Sequence, residues 1–595
     1  MVTVQSELSG LPPEARRALA ARIADHLSQA RAPRPDHDVA IVGGGAAGLT
    51  LALEISLARP ATSVVVFETD TGPAPEATHK VGESTVEVAS HYLREKLGMG
   101  DHLATAQLPK MGLRMFFTDG ANTDIAQRIE VGSSRRIPFQ TYQIDRGRLA
   151  NELARRCVAE GIEITCGRVR SVEFGAGGHG HSLTVDGDDG TFTTTATWIV
   201  DSSGRNRTLP RQLDLREPSE HKCSAVWLRV AAELDIKQWS SDPDWHARIV
   251  DGDRAMSTNH LMGDGYWVWI IRLASGSTSV GIVGDSALQP ASGFDTRAKA
   301  MAWLREHEPQ CADALAEVED KIQDFRVMKN YSHGAAKFFD GQKRWCLTGE
   351  SAVFLDPLYS SGLDLIAIGN GLITDMIIRD LNGENVIGRS QTANTLFRTL
   401  TEMWMGIYQD QYPLMAAPKV MTAKIVWDVA LYWGFLGFLY VNDRFTTVAD
   451  DPSIVPGLER LVGLSNRIQQ FFREWAAIDD GRPEAQFIDA YSSLNFMQVL
   501  HSTMIDEISD VTAQFDANNE LLSQLAGQLV EMVIAENCNR FSDDLVMRQV
   551  QSWQQDSLLR EVRAIYRREQ SVNPVSDGWI IASAPLHTAP LQTSA

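Results

Sequence analysis

Near its start the chain carries a glycine fingerprint whose surroundings restrict the local fold. Gly43, Gly45 and Gly48 form the pattern G-x-G-x-x-G directly after an apolar, strand-like run, and a helical pattern follows at residues 49–57. A second apolar run then ends at Glu68. This order of strand, glycine turn, helix, strand and acid predicts a βαβ unit of the Rossmann type.

The fingerprint favours a dinucleotide site over a purely structural turn. Without side chains, the turn lets a pyrophosphate approach the free N–H groups at the start of the helix. Glu68 can accept hydrogen bonds from both hydroxyls of a ribose, and it would repel the additional phosphate of NADP. We therefore expect FAD or NAD here, held by the three glycines, by Ala46 and Ala47 between them, and by Glu68.

Composition excludes several other classes of protein. The formal net charge is −21, and no Lys/Arg-rich stripe with interleaved aromatic residues is present, so nucleic acid is not an expected partner. Six cysteines without C-x-x-C spacing indicate a reducing compartment and no metal site. Residues 1–35 lack the apolar core and cleavage site of a secretory signal, so we expect a cytoplasmic protein.

Two other segments have a structural interpretation and a functional one. Residues 11–30 predict an amphipathic helix, either packed on the main body or docked on a partner protein. Residues 425–441 are apolar but contain Asp428, which is costly in lipid. We interpret the second segment as a buried core helix and do not expect membrane contact.

Three later segments resemble class A flavoprotein hydroxylases, and this resemblance decides for FAD. Residues 142–149 resemble their Asp-Arg-x-x-Leu segment, in which the arginine, here Arg146, lies near the cofactor. Residues 198–205 resemble their strand-end segment with an aspartate, here Asp201. Gly349 and Glu350 resemble the Gly-Asp pair that binds the ribityl chain, with glutamate replacing aspartate.

Four further segments, in the right order, resemble the flavin-dependent halogenases, which share that fold. They are residues 79–85 (HKVGEST), 108–114 (LPKMGLR), 267–271 (WVWII) and 354–362 (FLDPLYSSG). Tryptophan halogenases place a glutamate directly before the motif serine, where this chain has Tyr359. The resemblance is therefore closer to members that act on a phenol, a pyrrole or a carrier-tethered acyl group.

The halogenase resemblance implies a set of site residues. The catalytic residues are Lys110 and Ser360. The flavin-contacting residues added by these motifs are Gly82, Glu83, Ser84, Thr85, Pro357 and Gly362. The halide is held by the backbone of Ser360, Ser361 and Gly362, and the substrate tunnel is lined by Trp267, Trp269 and Tyr359.

The resemblance also implies the chemistry. FADH2 and O2 form a flavin hydroperoxide that chloride or bromide attacks, and the hypohalous acid is directed to an electron-rich small molecule of secondary metabolism. Lys110 either hydrogen-bonds the hypohalous acid as an ammonium ion or forms a haloamine as a free amine. Residues 175–181 fit a hairpin loop and not a second fingerprint, so we expect reduced flavin from a separate reductase.

Two alternatives stay open at this point. Trp267-x-Trp269 is followed by Arg272 where the halogenase signature has proline, and such a chain could be a flavin monooxygenase that hydroxylates its substrate. A non-catalytic flavin-binding interaction protein is the third reading. It would use the N-terminal helix and the helical C-terminal part to hold partners.

The expected architecture is α/β. We predict a Rossmann-type FAD-binding domain with a mixed or antiparallel substrate-side sheet and a mostly α-helical C-terminal domain. The predicted divisions are an N-terminal helical extension and linker (1–35), the FAD-binding domain (36–220 and 331–388), the substrate-side sheet (221–330), the helical C-terminal domain (389–581) and a loose tail (582–595).

Overall fold

The protein is described by a computed structural model that covers residues 35–75, 82–175, 180–479, 481–483, 486–538, 540 and 543–572. The helix predicted at residues 11–30 and the tail predicted at residues 582–595 lie outside the described residues. So do residues 79–81 of the first halogenase-like segment.

Twenty strands are present among the described residues, and sixteen of them form two eight-stranded sheets. In chain order they are β1 (His37–Val42), β2 (Val64–Glu68), β3 (Leu108–Lys110), β4 (Leu113–Phe117), β5 (Ile129–Gly132), β6 (Thr141–Gln143), β7 (Glu163–Cys166), β8 (Arg168–Glu173), β9 (His181–Gly187), β10 (Gly190–Asp201), β11 (Arg216–Pro218), β12 (Cys223–Val230), β13 (Thr258–Gly263), β14 (Tyr266–Arg272), β15 (Thr278–Asp285), β16 (Arg326–Met328), β17 (His333–Ala335), β18 (Phe339–Asp340), β19 (Trp345–Leu347) and β20 (Phe487–Asp489).

The first sheet has a parallel centre in the order β19-β10-β1-β2-β7. Val42, at the end of β1, is in register with Phe67 of β2 and with Asp201 of β10. The carboxyl ends of three parallel strands therefore meet at one edge, where ligands bind in open α/β sheets. The predicted βαβ unit is confirmed, and the strands before and after residues 175–181 pair antiparallel.

The second sheet has the order β16-β12-β15-β14-β13-β4-β5-β20 and is largely antiparallel. Its central strands come from the region where the sequence predicts alternating strands. Its other strands come from elsewhere, because β4 and β5 precede that region and β20 follows it by far. The domain boundaries given above remain a prediction.

Helices dominate the chain after residue 361, as the sequence predicts, with β20 as the exception. Those of eight or more residues are Ala46–Ala58, Arg146–Ala159, Arg297–His307, Pro309–Ala316, Gly362–Leu381, Ile387–Tyr408, Pro418–Leu431, Val455–Ala476, Asn495–Ile505, Val511–Asn537, Asp544–Gln555 and Ser557–Val572. A π-helical turn, Tyr432–Gly437, continues the helix Pro418–Leu431.

The helical part is packed directly on the two sheets. The Tyr432 hydroxyl accepts a hydrogen bond from the Val88 amide at 3.0 Å and contacts the Asp364 carboxylate at 3.0 Å. Trp267 of the second sheet donates its indole N–H to the Tyr412 hydroxyl at 2.9 Å. The segment Pro418–Val441 is apolar and long enough to cross a membrane, but 78% of its 18-residue apolar window is buried inside the protein. Burial of this degree is typical of a core helix in a soluble protein.

Candidate active site

The glycine turn after β1 is shaped by close backbone approach. Gly43 has a φ of +108°, and a Cβ atom there would lie 2.5 Å from the Ser202 carbonyl oxygen. A Cβ atom on Gly48 would lie 2.1 Å from the Gly43 carbonyl oxygen. A Cβ atom on Gly45, by contrast, would meet no atom within 4 Å. Two glycines therefore serve the packing of the turn, and the third keeps open space above it.

That space belongs to a cavity of about 640 Å³ at the carboxyl edge of the first sheet. Glu68 lies on its wall, where its Oε2 accepts a hydrogen bond from the Gly44 amide at 2.7 Å. An open glycine turn, a helix N-terminus and a strand-end carboxylate suit the pyrophosphate and ribose of a dinucleotide. The residues present therefore fit FAD.

Most residues that the sequence assigns to the cofactor line this cavity. They are Gly43, Gly45, Ala46, Ala47, Glu68, Gly82, Glu83, Ser84, Arg146, Gly349, Glu350, Pro357 and Gly362. Three others lie behind the wall. Gly48 packs against the turn, Thr85 Oγ1 bonds Ser90 and the Tyr142 carbonyl, and Asp201 accepts hydrogen bonds from the Ser203 and Leu209 amides at 2.8 and 2.6 Å.

The segment 198–205, from which the resemblance assigns Asp201 to the cofactor, contributes other residues to this wall. Ser202, Ser203, Gly204 and Arg205 line the cavity in a turn that Asp201 holds in place. Glycine and small polar residues directly after the carboxyl end of β10 are the signal that places these further residues at the site. Trp267 and Trp269, which were assigned to a substrate tunnel, also lie on the wall of this larger cavity.

The segment predicted to hold the halide forms a strained turn at the same cavity. Ser360 is a non-glycine residue with a φ of +61°, a conformation found where the surrounding structure enforces it. Ser360, Ser361 and Gly362 all line the cavity, and Gly362 begins the helix Gly362–Leu381. The Ser360 amide donates to the Pro357 carbonyl oxygen at 3.0 Å and is therefore not available to a halide. The first N–H groups of the helix, at Gly362 and beyond, have no acceptor within the helix.

Lys110 lies at the end of β3 and is almost completely buried, with 7% of its surface exposed. Its Nζ donates hydrogen bonds to Ser84 Oγ and to the Thr85 carbonyl oxygen, each at 2.8 Å. Burial lowers the pKa of Lys110 to about 8, although the nearby Glu87 and Asp364 carboxylates oppose this shift. The lysine is therefore held in place and titrates close to neutral pH.

Lys110 also lines a second, smaller cavity of about 120 Å³. Most of the lining is apolar, and more of it comes from the helical C-terminal part than from the sheets. The C-terminal contributors include Met403, Trp404, Ile407, Ile425, Val429, Tyr432, Trp433, Phe435 and Leu436. Several of them belong to the π-helical turn Tyr432–Gly437, a type of irregularity that often marks functional sites.

The two cavities meet at neighbouring residues. Ser84 lines the larger cavity, whereas Lys110, to which it is hydrogen-bonded, lines the smaller one. Ser360 lines the larger cavity, whereas Tyr359 lines the smaller one. Lys110 and Tyr359 therefore stand in the wall between the two spaces.

Tyr359 is connected to a buried polar network in the helical part. Its hydroxyl donates to Asp428 Oδ2 at 2.9 Å, and Lys424 donates to the same oxygen at 2.5 Å. Gln469 donates to Asp428 Oδ1 at 2.6 Å. The carboxylate in the apolar segment at residues 425–441 is thus satisfied inside the protein.

A further group of buried polar side chains surrounds Asp356, within the segment 354–362. His221, Cys223 and Asp356 have donor atoms within 4.8 Å of one another, which is the one such cluster among the described residues. Asp356 Oδ2 already accepts hydrogen bonds from His221, Tyr331 and Tyr412, each at 2.7 Å. This network anchors the segment that ends at Gly362.

Comparisons with known proteins agree with this geometry. The lycopene cyclase protein family matches residues 38–222. Flavin-dependent halogenase chlA of Dictyostelium discoideum is 27% identical over 454 residues, covering 69% of this chain and 73% of the relative. A 1H-pyrrole-2-carbonyl-[peptidyl-carrier protein] chlorinase of Pseudomonas fluorescens is 26% identical over 353 residues, covering 56% of this chain and 73% of the relative.

Solved structures share the fold. The structure of the halogenase PltM in complex with phloroglucinol and FAD aligns with a TM-score of 0.57 at 16% identity, covering 81% of this chain and 96% of that chain. The matches to halogenases thus extend over both sheets and into the helical part, where the second cavity is formed. Together with the order of the four motifs, they show that the chain is similar in sequence to flavin-dependent halogenases and shares the fold of PltM.

Proposed function

We propose that the protein uses FADH2, O2 and chloride or bromide to halogenate a small electron-rich aromatic ring. The observation that carries the proposal is the position of Lys110 between a cavity that fits a dinucleotide and an apolar cavity next to it. One buried lysine at this place can receive a small oxidised halogen species from one side and present it to a ring on the other side.

The larger cavity holds the cofactor. The open turn at Gly45 would receive the pyrophosphate and Glu68 the ribose hydroxyls, and Arg146 and residues 82–84 of the same cavity would contact the rest of the cofactor. Reduced FAD, when bound, supplies the electrons with which O2 oxidises the halide to hypohalous acid.

The turn at residues 360–362 holds the halide. A compact anion suits an array of backbone N–H groups at a helix N-terminus, where the helix dipole also favours negative charge. The strained φ of Ser360 fixes the backbone of this turn before any ligand binds, and the amides of Ser361 and Gly362 would supply the donors.

Lys110 acts on the hypohalous acid as an ammonium ion. Its hydrogen bonds to Ser84 and Thr85 account for two N–H groups, and the third is free to be directed at the hypohalous oxygen. Hydrogen bonding to that oxygen makes the halogen more electrophilic, and a proton transferred there lets water leave when the ring attacks.

The substrate is a single aromatic ring, a phenol or a pyrrole, either free or tethered to a carrier protein. A cavity of about 120 Å³ is comparable with the cavities of roughly 150 Å³ that take up benzene. The carrier-tethered form is supported by the similarity to a pyrrolyl-carrier chlorinase, and the phenol by the fold shared with a phloroglucinol-bound halogenase. Products of this type belong to secondary metabolism.

The sequence also bears on the source of reduced flavin and on the cellular compartment. A separate reductase supplies FADH2, because the sequence contains no second dinucleotide fingerprint. All six cysteines are free thiols, which suits the cytoplasm.

Hydroxylation on the same scaffold is not favoured. Arg272, the departure that first suggested it, forms an ion pair with Glu233 and lies outside the linings of both cavities. The change therefore has a local structural explanation.

The test is a turnover assay with a flavin reductase, NADH, FAD, O2, bromide and a panel of phenols. We expect a brominated product in mass spectra and a loss of about 10²–10⁴-fold in Lys110→Ala, the range that general acid catalysis contributes. FAD affinity, followed by flavin fluorescence, should be unchanged in that variant. Hydroxylated product whose yield does not depend on bromide would contradict the proposal.

A further inference from the structure

Electrophilic halogenation of a phenol is fastest when the ring reacts as a phenolate, which requires a proton acceptor at the substrate. Tryptophan halogenases place a glutamate before the motif serine, whereas this chain has Tyr359 there. The hydroxyl of Tyr359 is already a donor to Asp428. A carboxylate for the substrate must therefore come from another element of the structure.

Three charged side chains line the smaller cavity among the described residues, namely Glu87, Lys110 and Asp428. Asp428 is unsuited to accept a proton from the substrate, because Tyr359, Lys424 and Gln469 already donate to its two oxygens. Lys110 serves the hypohalous acid. Glu87 is the carboxylate that remains on the cavity wall.

Glu87 begins the short helix Glu87–His91 and is 7% exposed, on the side of the cavity. Its carboxylate interacts with its own backbone amide, with the Trp433 side chain and with the charge of Lys110. Two neighbours are kept in place independently, because the amides of Val88 and Ala89 bond the Tyr432 hydroxyl and Asp364 Oδ1 at 3.0 and 2.9 Å. The start of this helix is thus fixed against the floor of the cavity.

We propose that Glu87 accepts the proton of the substrate hydroxyl, so that the ring bound in the smaller cavity reacts as a phenolate. The inference rests on the proposed function. The phenolic O–H bond breaks, its proton passes to the Glu87 carboxylate, and the oxygen electron pair moves into the ring. A ring carbon then attacks the halogen of the hypohalous acid, the halogen–oxygen bond breaks, and the hydroxide takes the Lys110 proton and leaves as water. The proton of that ring carbon passes to the neutral Lys110 amine, which restores both the aromatic ring and the ammonium ion. The Glu87 proton then returns to the oxygen of the product.

The electrostatics of the cluster suit this role. Burial raises the pKa of Glu87, which brings its basicity closer to that of a phenol, while Lys110 opposes the rise and favours the ionised form. The other titratable groups facing Glu87 are Asp364 from the helix Gly362–Leu381 and Tyr432 from the π-helical turn. Burial raises the pKa of Asp364 to about 8, so this neighbour adds little negative charge at neutral pH.

A matched pair of substrates separates proton acceptance from any structural role. Phenol carries the proton that Glu87 would remove, whereas anisole presents a ring of the same kind with a methyl group in its place. In Glu87→Gln we expect the rate ratio of phenol to anisole bromination to fall about 100-fold. Loss of the Glu87 charge also lowers the pKa of Lys110, which slows both substrates alike and leaves their ratio unaffected. Glu87→Asp, which keeps a carboxylate, should restore part of the ratio.

Asp364→Asn is the control variant, because it removes a carboxylate of the same cluster that does not line either cavity. Its phenol-to-anisole ratio should stay within about twofold of the wild-type ratio. Equal slowing of both substrates in Glu87→Gln, or no slowing of either, would overturn the proposal. Wild-type protein that brominates neither substrate would refute the proposed function instead.

Binding to flavin-free protein gives a readout that does not depend on turnover. Calorimetry with phenol and anisole should show a preference for phenol of about tenfold in the wild type, the effect of one hydrogen bond to a charged group. Glu87→Gln should lose most of this preference while its thermal melting stays close to wild type. An unchanged preference, or none in the wild type, would contradict a contact between Glu87 and the hydroxyl.

Discussion

The larger and the smaller cavity differ in the residues that line them and in the elements that contribute those residues. One side of the larger cavity is lined by small residues at the ends of parallel strands, such as Gly43 and Gly45, and its other side includes Trp267 and Trp269 of the second sheet. The smaller cavity is lined by bulky side chains from distant helices, such as Trp404 and Tyr432. A cofactor common to a family can be bound by local turns, whereas a ring of particular shape needs side chains that fill space around it.

The largest effect should come from the glycine turn. Gly45→Ala places a methyl group in space that no protein atom occupies, so the fold should be unaffected while FAD affinity falls about 100-fold. Gly48→Ala is the matched variant, because its Cβ would lie 2.1 Å from the Gly43 carbonyl oxygen and should lower the melting temperature as well. Flavin fluorescence titration and thermal melts check both. Unweakened FAD binding in Gly45→Ala would show that the pyrophosphate does not lie over this turn.

A smaller effect is expected from the helical wall. Trp404→Ala removes a large, 4% exposed side chain from the smaller cavity and should raise KM for phenols about 20-fold, close to the value of burying one large side chain. FAD affinity should not change. Arg205→Ala, on the wall of the larger cavity, should do the reverse, weakening FAD and leaving the KM for phenols nearly constant. Loss of FAD affinity in Trp404→Ala would remove the distinction between the two walls.

The lysine between the cavities should give the activity an alkaline limit. Burial lowers the pKa of Lys110 to about 8, and the ammonium form is the active one in our account. The bromination rate should therefore decrease as pH rises through 8, falling about fourfold by roughly pH 8.5. A rate that instead rises through this range would indicate the free amine and a haloamine route.

The smallest effect concerns stability. Burial raises the pKa of Asp364 to about 8 from an ordinary value of 3.8, so the folded protein binds this proton more tightly than the unfolded chain does. Its stabilising contribution is complete below pH 3.8 and is lost as pH rises towards 8. Asp364→Asn cannot ionise, so its melting temperature relative to wild type should increase by a few degrees between about pH 5 and pH 8. An unchanged difference would place the native pKa near its ordinary value.

The same contrast explains what could be predicted from the sequence. The turn at Gly43, the acid at Glu68 and the strained segment at Ser360 are short motifs whose chemistry depends on neighbours in the chain, and the structure places all three at one cavity. Glu87 lies two residues beyond a recognised motif, yet only the packing of Tyr432 and Trp433 against it makes it part of a site. The position of Trp267 and Trp269 on the larger cavity likewise depends on how the second sheet faces the first.

In the proposed reaction an oxidised halogen formed at one cavity passes by way of Lys110 to a ring held in the other, without escaping into solvent. A competition assay with bromide, a phenol and an excess of a freely diffusing 1,3-diketone that captures hypobromous acid tests this transfer directly. We expect that wild-type protein still brominates the phenol, whereas in Lys110→Ala any bromine appears on the diketone. Complete capture by the diketone with the wild-type protein would contradict it.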